Sequence, residues 1–216
     1  MSDRRPDRER TLEASRRGFD KWAPTYEDDR RSKRIAAMQD AAFDALELGA
    51  EDRLLDVGCG SGAAVRRAAP MAAAASGVDL SPKMIERAVE LAAGIENVEF
   101  RVSESDALPY EDGAFTALLC TSSFHHYPDP AATVREMARV LAPGGRLVIG
   151  DGSADRPEAR FVDWFLRRFD QSHVKLYRST ELAELLYAAG FERVSVRKLW
   201  SGGYALVRAG KPAASV

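Results

Sequence analysis

The chain has 216 residues, of which 45% are hydrophobic and 30% charged, and its formal net charge at pH 7 is −2. This length can bury one substantial core, so we expect a single domain with short additions. The near-neutral charge argues against a generally basic nucleic-acid-binding protein. Two cysteines, Cys59 and Cys120, are too few for a disulfide framework or a zinc cluster.

The N-terminal stretch "MSDRRPDRER" carries charges of both signs and no apolar centre. It is not typical of a secretory leader, and no later apolar run is long enough to cross a bilayer. We therefore expect a cytoplasmic protein in which residues 1–18 form a charged, flexible arm. A helical pattern follows at about residues 30–48 and predicts a helix that covers the core. It brings five apolar residues to one face: Ile35, Met38, Ala42, Ala45 and Leu46.

Beyond this helix, short apolar runs alternate with helical patterns as far as "GRLVIGD". This rhythm predicts a mainly parallel sheet covered on both faces. Near the end, "FERVSVRKLWSGGYALVRA" contains two strand patterns separated only by residues 201–203. Parallel neighbours need a crossover of a dozen residues or more, so these two strands must be antiparallel. The predicted fold is a doubly wound α/β sheet, mainly parallel, with one reversed strand near its end.

The stretch "LLDVGCGSG", residues 54–62, follows the first predicted strand and carries glycines at alternate positions: Gly58, Gly60 and Gly62. It lies where a strand turns into a helix, the position at which open α/β sheets bind ligands. Glycine permits unusual dihedral angles and close approach to the backbone, which suits a nucleoside-bearing ligand. A tight turn without a ligand is the alternative.

A carboxylate follows at the end of the second predicted strand, in "SGVDLSPKMIERA". Asp79 is placed to accept hydrogen bonds from both hydroxyls of a ribose. Ser81 and Pro82 are typical of the cap and first turn of the next helix. A solvated loop carboxylate or an extra cap is the alternative for Asp79.

These two features leave two classes of enzyme open, because the loop also satisfies the dinucleotide pattern G-x-G-x-x-G/A at Gly58, Gly60 and Ala63. Four motifs in order decide between them. They are "DVGCGSG" at residues 56–62, "GVD" at 77–79, "DALP" at 106–109 and "LAPGGR" at 141–146. Together they resemble the class I S-adenosylmethionine-dependent methyltransferases, within them the subgroup of the ubiquinone and menaquinone biosynthesis methyltransferases, over about residues 19–207.

The resemblance implies a Rossmann-like methyltransferase fold with a seven-stranded sheet, and S-adenosylmethionine as cofactor with S-adenosylhomocysteine as product. We expect one methyltransferase domain at residues 19–210 and a flexible tail at 211–216. The chain departs from the family pattern at Thr116, where Asp often follows "DGxF", and "CTSSFHHYPDP" follows only some members. Both departures bear on the substrate and not on the cofactor.

The resemblance also implies a cofactor site, residue by residue. Gly58 and Gly60 would lie against the methionine part, with Asp56 orienting their loop. The other implied contacts are Asp79 and Leu80 at the ribose, Asp106 and Ala107 at the adenine, Cys120 and Thr121 at the ammonium group, and Tyr26 at the methionine carboxylate. In "FDKWAPTYEDD" Trp22 would pack behind Tyr26, although these aromatics could equally anchor the N-terminal arm. For Cys120 a small buried side chain at a strand end is the alternative.

Methyl transfer needs a nucleophilic oxygen, nitrogen or carbon in line with the sulfonium methyl, and it needs no metal. A base helps where the acceptor is a hydroxyl or an acidic carbon. "FHHYPD" places His125 and His126, which ordinarily titrate near neutrality, after the fourth strand. We predict His125 as the general base, with a role in shaping the loop as the alternative.

A lid is predicted over residues 153–178. "EARFVDWFLRRFD" places aromatic residues at helical spacing among arginines: Phe161, Trp164, Phe165 and Phe169 among Arg160, Arg167 and Arg168. Contact with substrate would favour an aromatic or otherwise apolar acceptor. Packing of this face on the domain or on a second subunit is the alternative.

Three classes of function follow. We predict a methyltransferase acting on a small molecule. The "DALP" loop and the reversed last strand argue against a nicotinamide-dependent oxidoreductase, and the third class is a binding protein without catalysis or a methyltransferase acting on a macromolecule. We expect no nucleic-acid partner and no membrane span, and the sequence leaves the oligomeric state open.

Overall fold

The computed structural model describes residues 8–28 and 30–214, and the side chains of residues 30–35 and 201 lie outside this description. Within it, seven strands form one sheet, with these bounds: β1 Arg53–Val57, β2 Ala74–Asp79, β3 Val98–Val102, β4 Phe115–Thr121, β5 Leu141–Gly152, β6 Glu192–Leu199 and β7 Tyr204–Gly210. The described helices have these bounds: α1 Arg8–Trp22, α2 Arg30–Asp44, α3 Ala63–Ala68, α4 Pro82–Leu91, α5 Pro130–Val140, α6 Pro157–Phe169 and α7 Ser179–Ala188.

The strands lie in the order β3-β2-β1-β4-β5-β7-β6. The five strands from β3 to β5 in this order are joined by parallel pairing. β7 runs antiparallel to both β5 and β6. The predicted doubly wound, mainly parallel sheet with one reversed strand near its end is confirmed.

Two apolar clusters cover the two faces of this sheet. Successive side chains of a strand point to opposite faces, so Leu54 belongs to one cluster and Leu55 to the other. On one face the sheet packs against α2 and α3, and on the other against α5 and α7. Each fully buried leucine contributes about 1.5–3 kcal/mol relative to an exposed one. Burial on both faces explains why apolar residues occupy consecutive positions in β1 and β4.

The N-terminal segment differs from the expectation. Residues 8–18, placed by the sequence in a flexible arm, belong to α1, which packs against α4 and buries Thr11 and Ser15. The guanidinium of Arg8 also donates to Asp106 at 3.0 Å and to Glu104. Residues 1–7 of the predicted arm lie outside the described part of the chain.

The predicted cover helix appears as α2, which ends at Asp44 and not at about residue 48, so Ala45 and Leu46 follow it. Ala42 and Leu46 are buried, and Met38 and Ala45 are partly buried against the same cluster, while the side chain of Ile35 is outside the description. Among the residues the structure describes, none of the helices combines the length and the apolar content that crossing a bilayer requires.

Candidate active site

The turn between β1 and α3 takes a shape that glycine favours. Gly58 and Gly60 have φ angles of +80° and +53°. A Cβ added at Gly58 would lie 2.5 Å from the Oγ of Ser123, and one at Gly60 would lie 3.5 Å from the ring of Tyr26. The backbone N–H of Gly58 donates to the carbonyl oxygen of Val78 at 2.8 Å, which ties the turn to β2. The turn therefore presents only backbone atoms at Gly58 and Gly60, and it lies between β2 and the side chains of Ser123 and Tyr26.

Asp79, at the end of β2, connects this turn to the start of α4. Its carboxylate accepts from the backbone N–H of Gly60 and of Ser81, both at 2.9 Å. Burial, and then the charge of Asp20, raise the pKa of Asp79, although the backbone hydrogen bonds oppose them. Ser81 caps α4 as predicted, because its Oγ accepts from the backbone N–H of Met84 at 3.1 Å.

Asp56 lies beneath the turn and is almost fully buried. Its Oδ1 has no hydrogen-bond partner among the described residues. Burial and the charge of Asp79 raise the pKa of Asp56 to about 7. A buried polar atom of this kind is costly unless a donor reaches it, so the site fits a ligand that brings donors, as the amino-acid part of S-adenosylmethionine does.

A cavity opens at the carboxyl edge of β1 and β2, where the sequence placed the cofactor. Six of the ten predicted cofactor residues line it: Tyr26, Gly58, Gly60, Asp79, Leu80 and Thr121. The ring of Tyr26 packs edge-on against Trp22, with 4.7 Å between centroids. The aromatic stretch forms a wall of the cavity through Tyr26, and it contacts the rest of the domain through Phe19, whose ring centroid lies 5.3 Å from that of His126.

Asp106 and Ala107 lie beside this cavity, whose wall on that side is Ser103, Glu104 and Ser105. The carboxylate of Asp106 accepts from the Arg8 guanidinium. Arg8 was not predicted from the sequence, because its only signal there was membership of a charged stretch.

Cys120 is buried at the end of β4 and does not line the cavity. Its Sγ lies 3.3 Å from the Oγ of Ser123, and burial raises the pKa of its thiol to about 12. The thiol therefore stays protonated near neutrality, as expected for a packing residue. Ser123 and Tyr127, which the sequence analysis missed, both donate to the carbonyl oxygen of Val57 and support the glycine turn.

His125 and Asp151 form a pair at the carboxyl ends of β4 and β5. The Nδ1 of His125 lies 2.7 Å from Oδ1 of Asp151, and the backbone N–H of His125 donates to Oδ2 at 2.9 Å. Because the carboxylate can only accept, Nδ1 donates in this pair, and in the neutral ring this is the tautomer with its lone pair on Nε2. Burial alone raises the pKa of Asp151, but the His125 charge and these hydrogen bonds bring it below its ordinary value.

His126, and not His125, is part of the cavity wall. Its Nδ1 donates to the carbonyl oxygen of Ser172 at 2.7 Å. Burial and the neighbouring His125 lower the pKa of His126 to about 3, so its ring is neutral near pH 7. The rings of His125 and His126 lie 4.1 Å apart, so the predicted base sits directly behind the wall.

A third histidine, His173, lies beside His125 and His126. Its Nε2 is 2.8 Å from Oδ1 of Asp163. Within residues 8–28 and 30–214, no group of three or more His, Cys, Asp or Glu side chains is arranged to hold a metal ion.

The departure at Thr116 has a structural explanation. Its Oγ1 donates to Asp52 at 2.7 Å and accepts from the backbone N–H of Arg53 at 2.9 Å. Asp52 also pairs with Arg146, whose hydrogen bond lowers the pKa of Asp52 to about 2. This network lies near the amino end of β4, away from the cavity.

Comparisons with known proteins agree with this architecture. Residues 55–149 match the protein family described as "Methyltransferase domain". The demethylmenaquinone methyltransferase of Tropheryma whipplei (strain Twist) is 32% identical over 221 residues, which cover 90% of each chain. The 27-O-demethylrifamycin SV methyltransferase of Amycolatopsis mediterranei is 40% identical over 126 residues, covering 56% of this chain and 44% of that protein. The crystal structure of YcgJ from Bacillus subtilis superposes with a TM-score of 0.71 at 23% identity, covering 83% of this chain and 100% of that one.

The chain belongs to the class I S-adenosylmethionine-dependent methyltransferases. It is an enzyme whose cofactor is S-adenosylmethionine, and the nicotinamide-dependent alternative is set aside.

Proposed function

We propose that the enzyme methylates a hydroxyl group of a small aromatic or otherwise apolar molecule, with His125 as general base and Asp151 as the residue that positions it. The 2.7 Å contact between His125 Nδ1 and Asp151 Oδ1 carries the proposal. The names of the Tropheryma and Amycolatopsis relatives refer to demethylmenaquinone and 27-O-demethylrifamycin SV, which supports a small-molecule acceptor.

S-adenosylmethionine, when bound, supplies a methyl group on a sulfonium that is already electrophilic. The cavity residues named above would hold it, with Asp56 beneath the glycine turn and the backbone of Cys120 beside Thr121. Asp106 and Ala107 would receive the adenine edge. A carboxylate offers about four lone-pair sites, so Asp106 can accept from an amino group while it keeps its contact with Arg8.

The base acts on the acceptor. Asp151 fixes the tautomer of the neutral ring that carries its lone pair on Nε2, and this imidazole takes the hydroxyl proton as the oxygen becomes a nucleophile. The ionised Asp151 then stabilises the imidazolium that forms. His126 suits this task poorly, because a group with a pKa of about 3 binds a proton too weakly near neutrality.

Within the predicted lid of residues 153–178, the part after α6 covers the histidines. The backbone N–H of Val174 donates to the carbonyl oxygen of His125 at 2.9 Å, and the carbonyl of Ser172 accepts from His126. We propose that this part of the segment excludes water from the acceptor, which strengthens the contacts around the transferred proton.

A pair of matched substitutions tests the role of Asp151. Asp112 is an exposed carboxylate that pairs with Arg139 and does not line the cavity, so Asp112→Asn is the control for Asp151→Asn. Labelled methyl transfer is measured from S-adenosylmethionine to a panel of phenols, hydroquinones and apolar alcohols. We expect Asp151→Asn to slow transfer to the best acceptor by about 10²-fold or more and Asp112→Asn to leave it nearly unchanged. Equal effects of the two substitutions would remove Asp151 from the proposal.

A further inference from the structure

A groove runs between α1 and the residues that follow α6. We call it the α1 groove, and its walls include these residues: Ser15, Gly18, Phe19 and Trp22 from α1, His126, and residues 170–172. The four positions from α1 recur at helical spacing, so they share one face of the helix. The hydroxyl of Ser15 donates to the carbonyl oxygen of Ser172 at 3.5 Å and joins the two walls.

The α1 groove is continuous with the cavity of the active site. Ser15, Phe19 and His126 line both the groove and the cavity. The ring of His126 lies 4.1 Å from the ring of His125, the proposed base. A molecule in the groove therefore extends as far as the wall behind which the base lies.

A second, charged depression meets the cavity at Leu12 and Glu104. It is also lined by Arg8, whose guanidinium donates to Glu104 and Asp106. The proposed function places the adenine edge at Asp106, so the bound cofactor would fill the cavity on this charged side. The α1 groove is the side that is left for the acceptor.

The α1 groove carries a row of aromatic rings. Trp22 stacks on Phe19 with 6.3 Å between centroids, and Phe19 lies edge-on to His126 at 5.3 Å. The aromatic residues of α6 do not line the groove, and Phe161 and Trp164 are 67% and 57% exposed. The apolar surface that an acceptor can contact therefore comes from α1 and not from the helix of the predicted lid.

The charge of the α1 groove disfavours an anionic occupant. Among the described residues that line it, Asp170 alone carries a charge near neutrality. The backbone N–H of Ser172 donates to Oδ1 of Asp170 at 2.9 Å and holds this carboxylate in place. His126 is neutral there, because burial lowers its pKa to about 3. A carboxylate in the groove would meet a like charge and no cation among the lining residues.

We propose that the α1 groove binds an uncharged apolar extension of the acceptor while the acceptor hydroxyl reaches His125. This inference rests on the proposed function for the position of the hydroxyl. The extension lies along His126, Phe19 and Trp22 and leaves the protein between α1 and residues 170–172. The groove thus selects phenols that carry an apolar chain over phenols that carry an anionic one.

A side chain added at Gly18 tests the groove without disturbing the packing of α1. Gly18 is exposed, and nothing lies within 4 Å of a Cβ added there. Gly18→Phe would fill part of the groove, and Arg17→Phe is the control, because it places the same ring at an exposed position that does not line the groove. Calorimetry with saturating S-adenosylhomocysteine measures the binding of para-ethylphenol and para-octylphenol to the full chain.

We expect the native chain and Arg17→Phe to bind para-octylphenol about 10-fold more tightly than para-ethylphenol, and Gly18→Phe to lose this preference. The affinities of Gly18→Phe for para-ethylphenol and for S-adenosylhomocysteine should stay native, because Gly18 does not line the cavity.

Asp170→Asn tests the charge of the groove with little change in shape. The probes are two analogues of para-octylphenol whose chains end in a hydroxyl or in a carboxylate. We expect the native chain to bind the carboxylate about 3- to 5-fold more weakly than the hydroxyl, and Asp170→Asn to bind the two analogues alike.

Three results would overturn the proposal. They are a native chain that binds para-octylphenol no more tightly than para-ethylphenol, an undiminished preference for para-octylphenol in Gly18→Phe, and discrimination against the carboxylate that persists in Asp170→Asn. Binding of the phenols as expected but without methyl transfer would count against the chemistry proposed for His125 and leave the α1 groove as their binding site.

Discussion

The two sides of the active site are assembled in different ways. On the cofactor side, at the ends of β1 and β2, the Asp79 carboxylate receives the N–H of Gly60 only 19 positions away. On the acceptor side, at the ends of β4 and β5, His125 and Asp151 are 26 positions apart, and His126 contacts Ser172 at a separation of 46. The glycine turn and Asp79 of the cofactor side come from one short stretch of the chain, whereas the acceptor side is built from several packed segments. Substitutions should therefore separate cofactor binding from turnover.

Removal of the base should have the largest effect. For His125→Ala we expect turnover to fall by about 10²–10⁴-fold, because no general base is left to accept the proton of the acceptor hydroxyl. The dissociation constant of S-adenosylhomocysteine, measured by calorimetry, should stay nearly native, because His125 does not line the cofactor cavity. Native turnover in this variant would leave His125 as a loop-shaping residue.

On the cofactor side, Asp79→Asn should weaken binding. The amide keeps the shape of the carboxylate but loses its charge. A hydrogen bond to a charged group contributes about 1.5–3 kcal/mol, so its loss should weaken cofactor affinity by about 10- to 100-fold. Asp112→Asn, at an exposed carboxylate paired with Arg139, is the control and should bind normally in the same calorimetric titration. If both variants bind alike, Asp79 does not contact the ribose.

Gly58→Ala should destabilise the fold through a collision. Its φ of +80° strains any other residue, and the new Cβ would lie 2.6 Å from Cβ of Ser123. Gly94→Ala is the matched control, because Gly94 has a φ of +86° and nothing within 4 Å of an added Cβ. Urea unfolding should show Gly58→Ala to be about 1–3 kcal/mol less stable than Gly94→Ala. Equal stabilities would mean that Ser123 moves away without cost.

The features predicted from the sequence are those that short patterns determine. The glycine spacing, the strand end at Asp79 and the cap at Ser81 each occupy a few consecutive residues. Likewise, the reversed β7 follows from a connection too short for a crossover. Local dihedral requirements fix such features whatever the rest of the chain does.

The features that were missed depend on which distant segments meet. Asp151 stands at the end of the quoted "GRLVIGD", but only the pairing of Thr121 with Gly150 brings it to His125. The contact of Arg8 with Asp106 spans 98 positions. The helical spacing in α6 shows which aromatic residues share a face, but the contacts of Asp163 decide that this face turns outward.

Asp56 makes the stability of the fold depend on pH. Its pKa in the folded protein, about 7, lies above the ordinary value of 3.8, so the folded state binds the proton more tightly than the unfolded chain. Asp56 therefore stabilises the cofactor-free fold most at low pH, and this contribution is lost as the pH rises from about 4 to about 7. In Asp56→Asn this loss should be absent. The free energy of unfolding should then fall less steeply over that range, and the two slopes should differ by up to about 1.4 kcal/mol per pH unit. Urea titrations at several pH values measure both slopes, and identical slopes would show that Asp56 is ionised in the fold.

A double-mutant cycle on single-turnover methyl transfer tests most directly the claim that His125 and Asp151 act as one unit on the acceptor side. With the cofactor saturating, the rates of His125→Ala, Asp151→Asn and the double variant are compared with the native rate. We predict that the double variant is about as slow as His125→Ala alone, because Asp151 acts only through the imidazole. Independent, multiplying losses from the two substitutions would contradict the account.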